Sequence, residues 1–142
     1  MTDEPEPVFF LDRNFGRKTV PQILRDAGFT IEVMDDHFAR DTADEVWLEQ
    51  VGRRGWFAVT LDEKIRYRRA EQEAVRRFRV GLFLLVRWKA SRAEDLARAL
   101  VKARVAMLRV ARRQQRPFIA KVYSDGRVSV WLKSGDGGSL AR

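Results

Sequence analysis

The sequence contains no cysteine and a single histidine, His37. Disulfide bonds and zinc–thiolate sites are therefore excluded, and so is any metal site built on several imidazoles. A metal ion in this protein has to be held by oxygen atoms, which favours Mg²⁺ or Mn²⁺. The same scarcity leaves no cysteine and no serine–histidine arrangement for covalent catalysis.

Long apolar segments are also missing. The longest apolar run is residues 80–86, whereas a membrane-spanning helix needs about 20 residues. Residues 1–7 are acidic and contain proline, without the basic and apolar stretches of a signal peptide. We therefore expect a cytoplasmic protein with no membrane partner. The 142 residues, 45% hydrophobic and 34% charged, suit one soluble globular domain.

The net charge of +8 is distributed unevenly along the chain. Residues 1–63 include 14 acidic and 7 basic residues, a net charge of −7. Residues 64–116 include 4 acidic and 17 basic residues, a net charge of +13. Basic segments attract phosphate backbones because binding releases counterions. The basic half therefore indicates a nucleic-acid partner, with a well-solvated basic surface as the alternative.

Strand and helix patterns alternate along the first 115 residues. Four short apolar runs predict buried strands at Val8–Leu11 and at residues 31–34, 56–60 and 80–86. Helices are predicted over residues 19–27, from 42 to about 53, within the basic stretch 65–79, and from 91 to about 115. Two of these helices are expected to begin at capping boxes, Thr42 with Glu45 and Ser91 with Glu94.

The C-terminal part has the pattern of a β-hairpin. Residues 118–123 and 127–132 flank the tight-turn sequence Ser124-Asp125-Gly126. Because strand–helix alternation favours parallel strands with helical crossovers, we expect a three-layer α/β/α domain with a mainly parallel central sheet. The expected organisation is a flexible acidic tail at residues 1–7, one domain at residues 8–133 and a flexible tail at residues 134–142.

The predicted topology places three carboxylates at one edge of the sheet. Asp12 ends the first strand, Asp62 follows the third, and Asp44 lies in the first turn of the helix after the second. Ligands of open parallel sheets bind outside the carboxyl ends of the strands, so the three side chains should point into one crevice. Carboxylates this close repel one another unless a cation neutralises them, which predicts a Mg²⁺ or Mn²⁺ site.

Each carboxylate also has a structural alternative. Asp12 can cap the turn after its strand, and Asp62 can cap the helix that follows it. Asp44 and Glu45 both suit the first helical turn, where negative charge meets the positive end of the helix dipole. Glu45 is kept as a candidate catalytic residue beside Asp44, although a capping-box role with Thr42 is favoured for it.

Polar and basic side chains flank the predicted acidic site. Basic groups beside a metal–carboxylate centre suit a substrate that carries negative charge close to the bond that is cleaved. The candidates for nucleic-acid contact are Asn14, Lys64, Arg66, Arg68 and Arg69. A role in the turn is the alternative for Asn14.

The long predicted helix is amphipathic at about 100° per residue. Its apolar face carries Leu96, Leu100, Ala103, Met107, Val110 and Ala111. Its opposite, basic face carries Arg98, Lys102, Arg109, Arg112, Arg113 and Arg116. The apolar face predicts core packing. The basic face fits a solvated surface, an RNA track, or a docking surface for an acidic partner or a second copy of the chain.

Several segments together resemble a known family. They are FFLDRNF (9–15), DHF (36–38), DTADEVWL (41–48), RGWFAVTLDEKIRYR (54–68) and VGLFLL (80–85). Over about residues 8–132 they are similar to the PIN-like domains grouped with VapC-type toxins. The most specific part is the strand-Thr-x-Asp-x-Lys-x-Arg pattern around Asp62.

The resemblance implies a PIN-like fold in which acidic residues bind Mg²⁺ or Mn²⁺ and RNA phosphodiester bonds are hydrolysed. Matching the motifs assigns the first acidic position to Asp12, the second to Asp44 with Glu45 adjacent, and the third to Asp62. It also implies the toxin half of a toxin–antitoxin pair, with RNA as substrate and a cognate antitoxin protein as partner.

One position of the family pattern has no obvious counterpart. PIN-like domains usually supply a further Asp or Asn after the third acidic residue, near the next strand, and here no carboxylate occurs between Glu73 and Glu94. Glu63 or Asn14 compensates, or only one metal ion binds well. The gap keeps open an alternative function, that of a non-catalytic PIN-like module that binds nucleic acid.

Overall fold

The computed structural model describes residues 6–88 and 92–133. Helices and strands alternate in the order β1 (Val8–Leu11), α1 (Thr19–Asp26), β2 (Thr30–Val33), α2 (Asp44–Arg54), β3 (Phe57–Thr60), α3 (Arg69–Arg77), β4 (Gly81–Leu85), α4 (Ala93–Arg113), β5 (Phe118–Val122) and β6 (Val128–Leu132). Short 3-10 helices follow the first three strands, at Arg13–Phe15, Met34–Asp36 and Glu63–Arg66. Each predicted strand overlaps an observed one.

The six strands form one sheet in the order β2-β1-β3-β4-β5-β6. Neighbours from β2 through β5 are parallel, and β6 runs antiparallel to β5. The mainly parallel sheet and the C-terminal hairpin are thus confirmed. Because the chain crosses from β2, on one side of β1, to β3 on its other side, the strand order reverses beside β1. Open α/β sheets bind ligands at such a point, beyond the carboxyl ends of the strands.

Alternate residues of each strand pack on opposite faces of the sheet. Phe9 and Leu11 lie in an apolar cluster with residues of α1 and α4, whereas Phe10 lies in a second cluster with residues of α2 and α3. Helices therefore cover both faces, which confirms the predicted three layers. A residue two positions after Phe10 is therefore directed towards the same face, the one covered by α2 and α3.

Two glycines permit close approach between elements. A Cβ atom on Gly52 of α2 would lie 2.2 Å from the carbonyl oxygen of Phe78, the C-cap residue of α3. A Cβ atom on Gly81 of β4 would lie 2.6 Å from a ring carbon of Phe57 and 2.7 Å from a ring carbon of Phe118. Gly52 therefore sets the spacing of the two helices that carry part of the candidate site.

The capping box predicted for α2 is wrong. The helix begins at Asp44 with Ala43 as its N-cap residue, and no described side chain caps this end. Because the helix begins one residue later than an N-cap at Thr42 requires, Glu45 is not at the position from which a capping-box partner reaches back. Asp44 is consequently the first residue of the helix, where its negative charge meets the positive end of the helix dipole.

The start of α4 also differs from the prediction. Its N-cap residue is Arg92, whose backbone N–H donates to Asp95 Oδ2 at 2.9 Å, so Asp95 takes the role predicted for Glu94. Ser91, the other predicted partner, lies outside the described residues. The apolar face of α4 packs in the core through Leu96, Leu100, Ala103 and Met107, as predicted. The basic face is mainly exposed.

The predicted tails lie largely outside the described residues, which exclude 1–5 and 134–142. Glu6, at the start of the described chain, accepts a hydrogen bond from Arg112 of α4 at 3.4 Å. In the part of the chain that the structure describes, no helix is both long enough and apolar enough to cross a membrane.

Candidate active site

A cavity of about 210 Å³ lies beyond the carboxyl ends of β1 and β3, beside α2 and α3. Its lining consists of Asp12, Arg13, Asn14, Met34, Thr42, Asp44, Trp47, Leu48, Thr60, Asp62, Ile65, Glu71 and Leu82. The structure thus brings the carboxylates of Asp12, Asp44 and Asp62 to one cavity, as the topology predicted. Glu71 adds a fourth. We refer to this space as the acidic cavity.

Asp12 is a buried carboxylate, with 6% of its surface exposed. Its Oδ1 accepts a hydrogen bond from the backbone N–H of Asn14 at 3.0 Å, and its Oδ2 accepts one from the hydroxyl of Thr60. Burial raises the pKa of Asp12 from 3.8 to about 6, while these hydrogen bonds lower it. The raised pKa reflects the cost of holding an isolated negative charge away from water, a cost that a bound cation would reduce.

Thr60 links the carboxylate of Asp12 to the backbone of Asp62. Alternation along β1 and β3 directs Asp12 and Thr60 to the same face as Phe10 and Ala58, the face covered by α2 and α3. The Thr60 hydroxyl donates to Asp12 and accepts the backbone N–H of Asp62 at 3.0 Å. Thr60 was not among the predicted site residues, but the signal for it was present in the Thr-x-Asp pattern.

Asp62 combines a structural role with a place in the acidic cavity. It is the N-cap of the 3-10 helix Glu63–Arg66, where its Oδ1 accepts the backbone N–H of Lys64 at 3.0 Å. Its Oδ2 accepts a hydrogen bond from Nη1 of Arg68 at 3.2 Å. The capping alternative is therefore correct for one oxygen, while the second oxygen is paired with Arg68.

Core packing orients Asp44. Its Oδ1 accepts a hydrogen bond from the indole Nε1 of Trp47 at 2.9 Å. The Trp47 ring stacks on Phe10, with ring centroids 5.7 Å apart. Glu45 follows Asp44 but is rotated by about 100° around the helix. It is exposed and lines a separate cavity with Val46, so the structure does not bring this predicted catalytic residue to the acidic cavity.

Glu71 reaches the acidic cavity from the first turn of α3. Its side chain is 12% exposed, and its Oε1 accepts a hydrogen bond from Nη1 of Arg68 at 3.1 Å. The pKa of Glu71 is raised to about 7, first by burial and next by hydrogen bonding with Asp44, whereas Arg68 lowers it. Glu71 was not predicted because the fourth acidic position was expected nearer the next strand. Its place in the first turn of a helix, which Asp44 also has in α2, was the available signal.

The residues predicted to contact nucleic acid have different surroundings. Asn14 lines the acidic cavity, and Arg68 donates to two of the carboxylates there. Lys64 and Arg69 are exposed beside it without lining it, and Arg66 is half-buried. The basic residues among them lie in the segment that leads from Asp62 into α3. Because Asp62, Ile65 and Glu71 line the acidic cavity, the predicted cationic surface adjoins it.

Tyr67 is an exposed aromatic side chain within this basic segment, with 73% of its surface accessible. The hydroxyl of Tyr67 accepts a hydrogen bond from Nη2 of Arg66 at 3.1 Å, and the Arg66 guanidinium lies 5.5 Å from the ring centroid. An aromatic ring among cations is a pattern typical of single-stranded nucleic-acid binding. Tyr67 was not predicted, although the alternation of basic and aromatic residues in the sequence was a signal.

Arg13 fixes the loop that leads to α2. Its Nε donates to Asp35 at 3.0 Å, and its Nη atoms donate to the carbonyl oxygens of Ala39 and Arg40. Arg13 lines the acidic cavity, but these partners engage its guanidinium. It therefore holds the loop before Asp44 rather than adding a free cation.

The donor set of the acidic cavity fits a hard divalent cation. Carboxylate oxygens are the ligands that Mg²⁺ and Mn²⁺ prefer, and about 210 Å³ leaves room for an ion with waters. Within residues 6–88 and 92–133, no three acidic or histidine side chains lie close enough together to hold one ion as they stand. Ion binding therefore requires carboxylates to turn inward, and Asp62 and Glu71 are held by Arg68.

The chain matches known proteins at two levels. Residues 7–87 match the family model described as a PIN-like domain. A Mycobacterium tuberculosis protein named "Putative ribonuclease VapC45" is 33% identical over 118 residues, which cover 80% of this chain and 84% of that protein. No solved structure matches the chain significantly. The residues that line the acidic cavity all fall within the matched range.

Proposed function

This chain belongs to the PIN-like domain family, and from that membership we propose that it is a metal-dependent endoribonuclease, the toxin of a VapC-type toxin–antitoxin pair. The observation that carries the proposal is the convergence of four carboxylates, from β1, α2, β3 and α3, on one cavity. The name of the mycobacterial relative, a ribonuclease, supports the same activity. A cytoplasmic location, where RNA is accessible, is part of the proposal.

Asp12, Asp44 and Asp62 are the proposed metal ligands, and Glu71 takes the fourth acidic position. The pKa of Glu71 is raised first by burial and next by the neighbouring Asp44, and a bound cation would offset both effects. A bound Mg²⁺ or Mn²⁺ ion supplies Lewis acidity and offsets negative charge at the attacked phosphate. Thr60 holds the Asp12 carboxylate and the backbone of Asp62 through one hydroxyl group.

The cationic surface beside the acidic cavity binds the RNA backbone in this proposal. Lys64 and Arg69 are exposed and supply positive charge for phosphates on either side of the cleaved bond. Asn14 lines the cavity and hydrogen-bonds a phosphate oxygen or a water. Tyr67, supported by Arg66, offers a flat surface on which an unpaired base stacks.

Substitution of Asp62 by asparagine tests the proposal. Asp62→Asn keeps the shape of the side chain and removes one proposed metal-binding charge. We expect it to reduce Mg²⁺-dependent cleavage of a single-stranded RNA by at least about 100-fold, because several kcal/mol of charge stabilisation is lost. The matched control is Glu63→Gln, which removes an exposed carboxylate next in the chain. Equal cleavage by Asp62→Asn and the parent protein overturns the nuclease assignment.

A non-catalytic nucleic-acid-binding module is the second candidate. The absence of a preassembled three-carboxylate group among the described residues favours it. Such a module binds RNA but cleaves none at any Mg²⁺ or Mn²⁺ concentration, and Asp62→Asn then leaves RNA affinity unchanged. The cleavage assay therefore distinguishes the two candidates.

A cognate antitoxin protein is the proposed protein partner. The basic face of α4 is exposed, with Arg98, Lys102, Arg109, Arg112 and Arg113 all accessible. An acidic segment of an antitoxin would complement this face, while a second copy of the chain is the other partner considered. Co-expression with the product of the adjacent gene distinguishes them, since an antitoxin co-purifies with the chain and suppresses its RNA cleavage.

A further inference from the structure

Arg68 makes a bridging contact in the acidic cavity. A single nitrogen atom, Nη1, donates to Oδ2 of Asp62 at 3.2 Å and to Oε1 of Glu71 at 3.1 Å. Arg68 is the N-cap residue of α3, and its side chain is 43% exposed. The guanidinium therefore reaches the two carboxylates from the surface and can leave them without disturbing the core.

The other two carboxylates of the cavity are satisfied in a different way. Asp12 accepts hydrogen bonds from a backbone N–H and from the hydroxyl of Thr60, and Asp44 accepts one from the indole of Trp47. All these donors are uncharged. Positive charge from Arg68 is thus directed at Asp62 and Glu71, on the β3 and α3 side of the cavity.

We propose that Arg68 is an internal counter-ion of the acidic cavity, and that a divalent cation displaces its guanidinium from Asp62 and Glu71 on binding. This inference rests on the proposed function. A Mg²⁺ ion requires its oxygen ligands at about 2.0–2.1 Å. The Nη1 atom of Arg68 already lies between two of the candidate oxygens, so the ion and the guanidinium exclude each other by volume as well as by charge.

Displacement leaves Arg68 with all of its donors free at the edge of the cavity. A guanidinium offers a planar fork of N–H groups that matches the oxygens of a phosphate. Arg68 is therefore a positioning residue in the metal-free protein and a phosphate-binding residue in the loaded protein. The same charge reduces the repulsion between Asp62 and Glu71 before the ion arrives.

Calorimetric titration with Mn²⁺ alone tests the inference without measuring RNA cleavage. We expect Arg68→Gln to bind Mn²⁺ about 3- to 10-fold more tightly than the parent protein, as two partly exposed ion pairs no longer compete with the ion. The matched control is Arg69→Gln, because Arg69 is adjacent, exposed and equally charged but pairs with neither Asp62 nor Glu71. We expect less than about a 2-fold change for it, the general effect of one nearby charge.

Each outcome decides the question. Equal changes in the two variants, or weaker Mn²⁺ binding by Arg68→Gln, overturn the inference. If Asp62→Asn loses Mn²⁺ binding while Arg68→Gln matches the parent, the proposed metal site stands and the counter-ion role falls. If neither the parent nor Arg68→Gln binds Mn²⁺, both fall. Should Arg68→Gln not fold, Arg68→Met replaces it, with an expected affinity above that of the parent, because methionine carries no charge that competes with the ion.

Discussion

Replacing Asp12 with asparagine is expected to stabilise the metal-free protein at neutral pH. Burial raises the pKa of Asp12 from 3.8 to about 6, a difference of about 2 units, and each unit corresponds to about 1.4 kcal/mol. Ionised Asp12 therefore costs about 3 kcal/mol of folding free energy. Asparagine carries no charge and can still accept the backbone N–H of Asn14.

The direction of the pH dependence follows from proton binding. The folded protein binds the Asp12 proton more tightly than the unfolded chain does. Protonation of Asp12 therefore stabilises the folded protein. This stabilisation is complete below about pH 3.8 and is lost as the pH rises through about 6. Relative to Asp12→Asn, the parent protein should lose about 3 kcal/mol of unfolding free energy over this interval, with no further change above about pH 7.

Urea unfolding in the presence of EDTA at pH 4 and pH 7.5 measures this difference. The control is Asp26→Asn, which neutralises an exposed carboxylate on α1 and should show no comparable change. Glu71, whose pKa is also raised, contributes to the pH dependence of the unfolding free energy. This contribution is present in the parent and in both variants, so it cancels from the comparison. If the parent and Asp12→Asn differ by the same free energy at both pH values, folding does not raise the pKa of Asp12 and the reasoning is refuted.

Two further predictions concern the RNA surface and the helix pair. Tyr67→Ala should raise the KM for single-stranded RNA about 10-fold in steady-state kinetics, because the stacking ring is lost. Tyr67→Phe keeps the ring and should leave the KM within about 2-fold of the parent value. Equal KM values for the two variants would contradict base stacking on Tyr67. Gly52→Ala should lower the unfolding free energy in urea by about 3 kcal/mol, because its Cβ atom meets the Phe78 carbonyl oxygen. Unchanged stability would show that α2 and α3 separate easily.

The parallel strands and the shared position of three carboxylates could be predicted from the sequence. Val8–Leu11 is a short apolar run closed by a charged residue, and its bounds match the observed strand. Once such strands are parallel, the residues that follow them meet at one edge of the sheet. The role of Asp12, Asp44 and Asp62 as metal ligands stays a prediction.

Contacts that depend on tertiary spacing could not be predicted. The Thr42–Glu45 pattern expresses a local preference, and the packed helix begins after Ala43 instead. Glu71 lines the acidic cavity, with Arg68 as its partner, because α3 lies close against α2, where Gly52 leaves no side chain between them. No sequence pattern within α3 alone specifies that distance.

The acidic cavity draws all of its described lining residues from positions 12–82. The family match likewise ends at residue 87. The helix and hairpin that follow complete the sheet and cover its other face, yet none of their described side chains faces the carboxylates. Substitutions on the outer surface of the C-terminal third can therefore change what the protein binds while leaving the lining of the acidic cavity intact.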